Sequence, residues 1–338
     1  MGRGGSGSRI TMAAIGKLAG VSQVTVSRAL SHPEKVSPDT LKRIREAIEV
    51  TGFVPNALAG ALSSRRTQLI TALIPTMTNI VYASLLHSFS DIMRSYGYQI
   101  MLSETGFDPD MEEQLVATLL SRRPDGILLW GLQHTASTRR MLLNADIPVV
   151  EVWDLTETPI DCSVGFSQFD AGQAVARFAH ERGYRRAATV NTSDVRTLTR
   201  RDGFISRFTE LSGMPVLSID TPAGAPTLGQ GRAALRELMD HRGFSDGVIF
   251  CGSDQFAHGL LIEAQTRGLR IPEDIAVVGF GDQDFAADTE PALTTVRVDR
   301  ADLGDRAARA LLERIEGTSD TPEAVIDVGF TLIPRGSA

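Results

Sequence analysis

The 338-residue sequence has only two cysteines, Cys162 and Cys251, far apart and in no CxxC pair. That excludes a disulfide framework and a zinc site, and a reducing cytoplasm is the simplest setting. No apolar run reaches the ~18–20 residues that cross a bilayer, so no membrane partner is expected. The opening MGRGGSGSR lacks an apolar stretch and reads as a flexible basic lead-in, not as a secretory signal. Catalytic signatures are missing too. No GxGxxG opens a helix after a strand, and there is no GxxxxGK[ST], GxSxG or HExxH. The six histidines, His32, His87, His134, His180, His241 and His258, are scattered, and none pairs with Cys or Asp at a catalytic spacing. Neither enzyme activity, nor a cofactor, nor a metal is expected.

What is present is a globular composition, 42% hydrophobic and 22% charged, in a chain long enough for two or three structural units. The net charge of −7 hides an asymmetry. Residues 1–66 hold ten Lys+Arg against four Asp+Glu, a net +6, whereas residues 67–338 hold 24 against 37, a net −13. A cationic head on an acidic body is expected where one end meets phosphate.

The head reads as three short helices. Thr11 can cap the first, which carries Ile15, Leu18 and Ala19 inward. Gly20-Val21-Ser22 turns the chain, and Ser22 can cap a second helix, Gln23 to Leu30, with Val26, Ala29 and Leu30 inward. Pro33 ends it. Ser37-Pro38 starts a third helix that buries Leu41, Ile44, Ala47 and Ile48 and stops at Gly52. Two helices joined by a tight Gly turn make a helix-turn-helix, whose second helix presents its N-terminal side chains to base edges in the major groove. Gln23 can exchange hydrogen bonds with a base, Val24 can touch a thymine methyl, and Arg28 can grip guanine. Ser22, Thr25 and Ser27 suit phosphate oxygens. An ordinary three-helix packing unit is the bland alternative.

Beyond the head, apolar runs alternate with amphipathic helical stretches. Strands are expected at Leu69–Pro75, Tyr98–Leu102, Gly126–Trp130, Pro148–Trp153, Ala187–Val190, Gly247–Phe250 and Ala276–Phe280. Helices are expected near 80–96, 110–123, 137–145, 168–183, 199–212, 229–242 and 254–268. Runs such as GILLW and IAVVGF suit strands covered on both faces, so the class is α/β with doubly wound parallel sheets, too many strands for one lobe. Ligands of such folds bind beyond the carboxyl ends of strands. Candidates there are Asn79, Trp130, Glu151, Asp154, Ser193, Ser253, Asp254, Gln255 and Asp282, with Gly224–Gly229 as a surface loop nearby. Met93, Met101, Met111 and Met141 share no spacing and read as core filling.

The residues GVSQVTVSRALSHPEKVSPDTLKRIREAIEVTGFVPNALA, with GVSxxTVSRxL and the GFxPN ending, resemble the head of the lac repressor family. The body resembles the family's two-lobed, periplasmic-binding-protein-like core through Arg123-Pro124-Asp125-Gly126, Arg200-Arg201-Asp202-Gly203-Phe204, Gly252-Ser253-Asp254-Gln255, the stretch Pro272–Phe280 and Leu293-Thr294-Thr295-Val296. The resemblance implies base contacts by Gln23, Val24 and Arg28 and phosphate contacts by Thr11, Ser22, Thr25, Ser27 and Asn56. It implies a hinge over 56–66 in which Leu62, with Ala59 beside it, wedges into the minor groove of double-stranded operator DNA. It further implies a homodimer, a small-molecule effector between the lobes, and chain crossings near residues 167, 297 and 325. The expected organisation is a lead-in at 1–9, a DNA-binding head at 10–55, the hinge, and a core at 67–338. Lobe 1 covers about 67–166 and 298–325, and lobe 2 about 167–297 and 326–338. Gly16 departs from the family, which usually has Ala there.

Arg200 matches the family's effector-gripping arginine, whose planar fork suits hydroxyls and carboxylates. Ser253 stands where the family usually has Asn, and Gly281 where it usually has Asp. Arg300 adds a cation nearby. A lost carboxylate and an added cation favour an acidic ligand. Residues 165–169 and the tail at 328–338 resemble the gluconate-utilisation repressor branch. Gluconate or a related sugar acid is therefore the expected effector, with a neutral sugar or nucleoside as the alternative. A solute-binding protein of the same core would carry an export signal and no head, the reverse of what stands here.

Overall fold

A computed structural model describes residues 10–54 and 66–338. The chain divides into two compact units, 1–67 and 68–338.

In the head, α1 (Met12–Ala19) is capped by Thr11, α2 (Gln23–Ser31) by Ser22 and α3 (Pro38–Thr51) by Ser37, each through its hydroxyl. Gly20 takes the left-handed conformation that closes α1, and its neighbour Val21 donates to the Gly16 carbonyl. The turn folds so closely onto α1 that a Cβ on Gly16 would stand 2.7 Å from the Val21 carbonyl oxygen, which gives the glycine a local reason. Ile15, Ala19, Val26, Ala29, Ile44, Ala47 and Phe53 form the core. Leu41 and Ile48 pack against it half-buried, and two further expected members stay outside. Leu18 and Leu30 are exposed, because α3 covers only the Ile15–Ala19 side of α1 and the Val26–Ala29 side of α2.

In the second unit the apolar runs become two parallel sheets. Strands β1 (Leu69–Ile74), β2 (Gln99–Glu104), β3 (Gly126–Trp130), β4 (Val149–Trp153), β5 (Cys162–Gly165) and β11 (Val325–Asp327) make lobe 1, in the order β11-β5-β4-β3-β1-β2. Strands β6 (Ala187–Thr192), β7 (Leu217–Thr221), β8 (Gly247–Cys251) and β9 (Ile275–Val278) make lobe 2, in the order β7-β6-β8-β9. In each sheet the order reverses beside the first strand, at β1 and at β6, so both lobes have a switch point at the carboxyl end of the sheet. Two short antiparallel strands, β10 (Thr295–Arg297) and β12 (Thr331–Ile333), pair in the connecting segments. Helices α4 (Ile80–Ser95), α5 (Pro109–Leu120), α6 (Ala136–Asn144) and α11 (Arg300–Glu316) belong with lobe 1. Helices α7 (Gln168–Glu181), α8 (Val195–Ser212), α9 (Leu228–Arg236) and α10 (Asp254–Thr266) belong with lobe 2.

The sequence pattern missed β5, β7, β10, β11, β12 and α11. CSVG and LSIDT are too short or too polar to stand out as apolar runs, and α11 is rich in Arg, Asp and Glu. β11 pairs with β5, so residues 325–327, where the third chain crossing is expected, still run in the sheet of lobe 1.

Helices α7 and α8 cross at glycines on both sides. A Cβ on Gly172 would run into the Arg200 carbonyl, and one on Gly203 into the Phe169 carbonyl. Backbone meets backbone there, so no side chain can rotate away. This contact brings the first turn of α7 against the Arg200 turn of α8. Substituting Gly172→Ala should cost about 1–3 kcal/mol, seen as a lower denaturant midpoint of the second unit. A midpoint unchanged from wild type would show that the crossing can relax.

Candidate functional site

On the head, Gln23, Val24, Ser27 and Arg28 lie on the exposed side of α2, with Val24 66% exposed although it is apolar. Ser22 Oγ accepts from the Thr25 amide at 3.2 Å and is 2.9 Å from Thr25 Oγ1, and Thr11 Oγ1 accepts from the Ala14 amide at 3.3 Å. Thr11 and Ser22 thus sit at helix N-termini, where amides point outward and favour anions. Arg43 donates to the Ala19 carbonyl at 3.1 Å and ties α3 to the end of α1. Asn56, Ala59 and Leu62 lie outside the described residues.

In the second unit, the carboxyl ends of β1, β3, β6 and β8 face a cleft between the two lobes with about 680 Å³ of empty space, open solvent included. From lobe 1 come Asn79, Tyr82, Trp130 and Trp153, and from lobe 2 Asp194, Arg196, Arg200, Ser253 and Phe280. The aromatic wall is continuous. Tyr82 meets Trp130 edge-on at 4.4 Å, and Trp130 stacks on Trp153 at 5.1 Å.

Arg196 and Arg200 stand one turn apart on α8 and share a face. Arg200 is 4% exposed. It donates from Nη1 to Gln168 Oε1 and from Nη2 to the Gly252 carbonyl at 2.8 Å, and its guanidinium lies 3.5 Å from the centre of the Phe280 ring. Burial lowers its pKa to about 10, which leaves it charged at neutral pH. Arg196 Nε approaches Asp194 Oδ1 at 3.7 Å. Asp194 caps α8, taking the Thr197 amide at 3.1 Å and the Thr197 and Thr192 hydroxyls at 2.7 and 2.5 Å. Burial would raise its pKa, but Arg196 and those hydroxyls outweigh it and hold it below the ordinary value.

Three buried donors of this wall have no acceptor among the described residues: Arg200 Nε, Arg196 Nη1 and Trp130 Nε1. A native interior seldom leaves donors open, and cationic ones least of all. The carboxyl that lines the cleft and the one just behind it are, meanwhile, engaged. Asp194 is committed as described, and Asp154, 6% exposed, accepts from Gln168 Nε2 at 2.9 Å. Burial raises Asp154 to about 6 against the pull of Arg196, Gln168 and Arg200.

The residues proposed from sequence divide. Asn79, Trp130, Arg200 and Ser253 line the cleft, although Asn79 and Ser253 also cap α4 and α10 through the Val81 amide at 3.0 Å and the Gln255 amide at 3.2 Å. Asp154 lies just behind it. Ser193 lines an adjoining cavity that shares Phe107, Trp130, Asp194 and Arg196 with the cleft. Gly224 and Pro226 of the expected loop reach the cleft as well. The remaining candidates do not line it. Gln255 donates to Gln283 Oε1 at 3.1 Å, and Asp254 is a fully buried brace for Thr295 and the Gln283 amide. Asp282 is paired with Arg297 and Arg335. Arg300 donates to the Gly281 carbonyl at 3.3 Å, behind the wall. Glu151 points into the base of lobe 1, toward His134 and the Ile160 amide. Position at a strand end does not by itself decide which residues line the cleft, since Glu151 in β4 and Asp254 and Asp282 beyond β8 and β9 bond back into the fold. Arg196, Asp194, Tyr82 and Gln168 were missed. The i, i+4 repeat of arginines on one helix was the signal available for Arg196.

Comparison with known proteins follows the two units of the chain. Residues 11–56 match the family of bacterial regulatory proteins of the lacI family, and residues 176–338 match a periplasmic binding protein-like domain. The HTH-type transcriptional regulator GntR of Escherichia coli K12 is 35% identical over 94% of this chain and 95% of its own length. The chain belongs to the lacI family of transcriptional regulators. A solved lacI-family regulator from Silicibacter pomeroyi superposes with a TM-score of 0.89 at 29% identity, covering 97% of this chain and 99% of its own. The GntR structure from Chromobacterium violaceum gives 0.74 at 34% identity over 80% of this chain and 98% of its own. Among the described residues no helix is long and apolar enough to cross a membrane, and no group of three or more His, Cys, Asp or Glu could hold a metal ion.

His134 adds a buried charge cluster beside the adjoining cavity. Its Nδ1 is 2.6 Å from Glu112 Oε1 and its Nε2 is 3.3 Å from Glu151 Oε1. Burial alone would lower its pKa, but the two carboxylates raise it to about 9. A raised histidine contributes stability that is full below the unfolded value of about 6.5 and is lost as pH rises through the folded value. The denaturant midpoint of the second unit should therefore fall between about pH 6.5 and 9, and His134→Gln should flatten that slope. A wild-type midpoint constant over this range would show that the imidazolium is not stabilised by its neighbours.

Proposed function

We propose that the protein is a cytoplasmic, homodimeric repressor whose affinity for operator DNA is lowered by a sugar-acid effector of the gluconate type, bound between the lobes. The three acceptor-less donors, Arg200 Nε, Arg196 Nη1 and Trp130 Nε1, carry this reading. A polyhydroxylated carboxylate supplies both the anion that two arginines call for and the further oxygens that satisfy the indole. The aromatic faces of Tyr82, Trp130 and Trp153 suit the C–H side of such a chain. The relatives named GntR favour the same ligand class.

On DNA, two α2 helices of a dimer enter successive major grooves of a pseudo-palindrome. Gln23, Val24 and Arg28 read base edges, while Thr11, Ser22, Thr25, Ser27 and Asn56 hold phosphates. Ala59 and Leu62 of the paired hinges occupy the minor groove between them. The effector releases DNA to the extent that it binds the non-binding arrangement of the dimer better than the other.

The test is a titration of the protein onto a duplex with a central CG palindrome, with and without gluconate, at fixed salt. Tight binding that gluconate weakens is expected, with glucose much less effective. Glucose acting as well as gluconate would overturn the acidic-ligand reading and favour a neutral sugar. Two variants separate the surfaces. Arg28→Ala should cost about 1–3 kcal/mol of operator affinity and relax the preference at one base pair, without changing gluconate affinity in calorimetry. Arg200→Leu should abolish the gluconate response. A fully responsive Arg200→Leu protein would place the ligand elsewhere.

A further inference from the structure

Gln168 is the first residue of α7, just past the first chain crossing, and is 5% exposed. Its carboxamide stands between a cation of lobe 2 and a carboxyl of lobe 1. Arg200 Nη1 donates to Oε1, while Nε2 donates to Asp154 Oδ1 at 2.9 Å and to the Trp153 carbonyl at 3.3 Å. This orientation of the amide is the one the chemistry permits. A guanidinium can only donate, and the Trp153 carbonyl and an ionised Asp154 can only accept. Asp154 follows β4 of lobe 1, and Arg200 lies on α8 of lobe 2, so the relay crosses between the lobes beside the cleft. The Gly172–Gly203 crossing fixes the spacing of its two lobe-2 members.

We propose that Gln168 is a positioning residue that couples the disposition of the lobes to the effector-binding guanidinium. Arg200 has five N–H groups and little freedom. Gln168 and the Gly252 carbonyl each take one N–H from its two terminal nitrogens, Phe280 covers its face, and Nε is the one nitrogen of the three left with no acceptor among the described residues. A movement that separates Asp154 from α7 removes the acceptors that hold the Gln168 amide, and with them the orientation of Arg200. A ligand that needs Arg200 so oriented therefore favours the lobe arrangement in which the relay is intact. This inference rests on the cleft being the effector site.

The test uses the full chain with Gln168→Leu, Gln168→Glu, Asp154→Asn and the double variant Gln168→Glu/Asp154→Asn. Gluconate affinity is read by calorimetry, and stability by thermal unfolding without ligand, each at about pH 5.5 and pH 8, on either side of the raised Asp154 value. Gln168→Leu should lower affinity about 10- to 100-fold, since it strands a charged donor. Gln168→Glu sets a second carboxyl against Asp154, within a surround of Arg196, Arg200, Asp194 and Tyr82. Two facing carboxyls must share a proton, so this variant should lose affinity and thermal stability at the higher pH and regain much of both at the lower. In the double variant the acid and the amide exchange places. The carboxylate introduced at position 168 accepts from Arg200 and from the carboxamide introduced at position 154, and net charge is unchanged. The double variant should recover most of the affinity and thermal stability that Gln168→Glu loses, short of wild type because the Trp153 carbonyl has lost its donor, and the added pH dependence should be gone. A residue that only fills space would show neither the pH dependence nor the rescue. If the double variant is no better than Gln168→Glu in either readout, the relay is wrong. If wild type does not bind gluconate, the ligand reading fails while unfolding still decides the relay, by presence or absence of rescue.

Discussion

A guanidinium that is 4% exposed at the junction of two lobes is the constraint from which the second unit can be understood. Removing such a charge from water costs several kcal/mol unless its donors find acceptors and its field finds an anion. Arg200 meets this with one carbonyl, one carboxamide and an aromatic face, supplied by three separate segments. Each segment is held for its own reason. Gly252 follows the apolar strand β8, Gln168 starts a helix capped by Ser167, and Phe280 belongs to the apolar cluster that spans both lobes. The residual unmet donor is then a property of the assembly and not of one residue.

The same reasoning separates the acidic residues of the region. Asp194, Asp154 and Asp254 are all buried or nearly so, yet they do different work. Asp194 is kept ionised by Arg196 and two hydroxyls. Asp154 and Asp254 are pushed up to about 6 by burial, against hydrogen bonds that favour the ionised form. Only the first faces the cleft directly. With those carboxyls already occupied, the arginines dominate the field in the cleft.

Much of this was legible in the sequence. The caps Thr11, Ser22 and Ser37, the Gly20 turn and the long apolar strands are local signals, and local signals survive folding. The exposed side of α2 followed from helix periodicity, because exposure on a short helix depends on few neighbours. Leu18 and Leu30 failed because periodicity marks an apolar face but not how far the partner helix extends over it. In the cleft the failure had another cause. Asp282 follows an expected strand and Arg300 is a cation near the family's ligand stretch, but their partners Arg297, Arg335 and Gly281 lie 15 or more positions away in sequence. Gln168 was invisible for the same reason, since an isolated glutamine at a helix start carries no signal until Asp154 and Arg200 are seen on either side.

The unequal use of charge in the chain follows from these roles. The net +6 of residues 1–66 is dispersed along the sequence, and among exposed charges screening makes each weak but the sum effective toward a polyanion. The body's cleft instead concentrates two cations where water is scarce and each interaction is strong. A regulator needs both regimes. DNA must be held by many weak contacts so that a change in the geometry of two heads can weaken them together. The effector must be held by a few strong ones, because a ligand can shift a two-state equilibrium only by the difference in its affinity for the two states. On the relay proposed above, a contact such as Arg200, oriented between the lobes, is what supplies that difference at the point where the lobes meet.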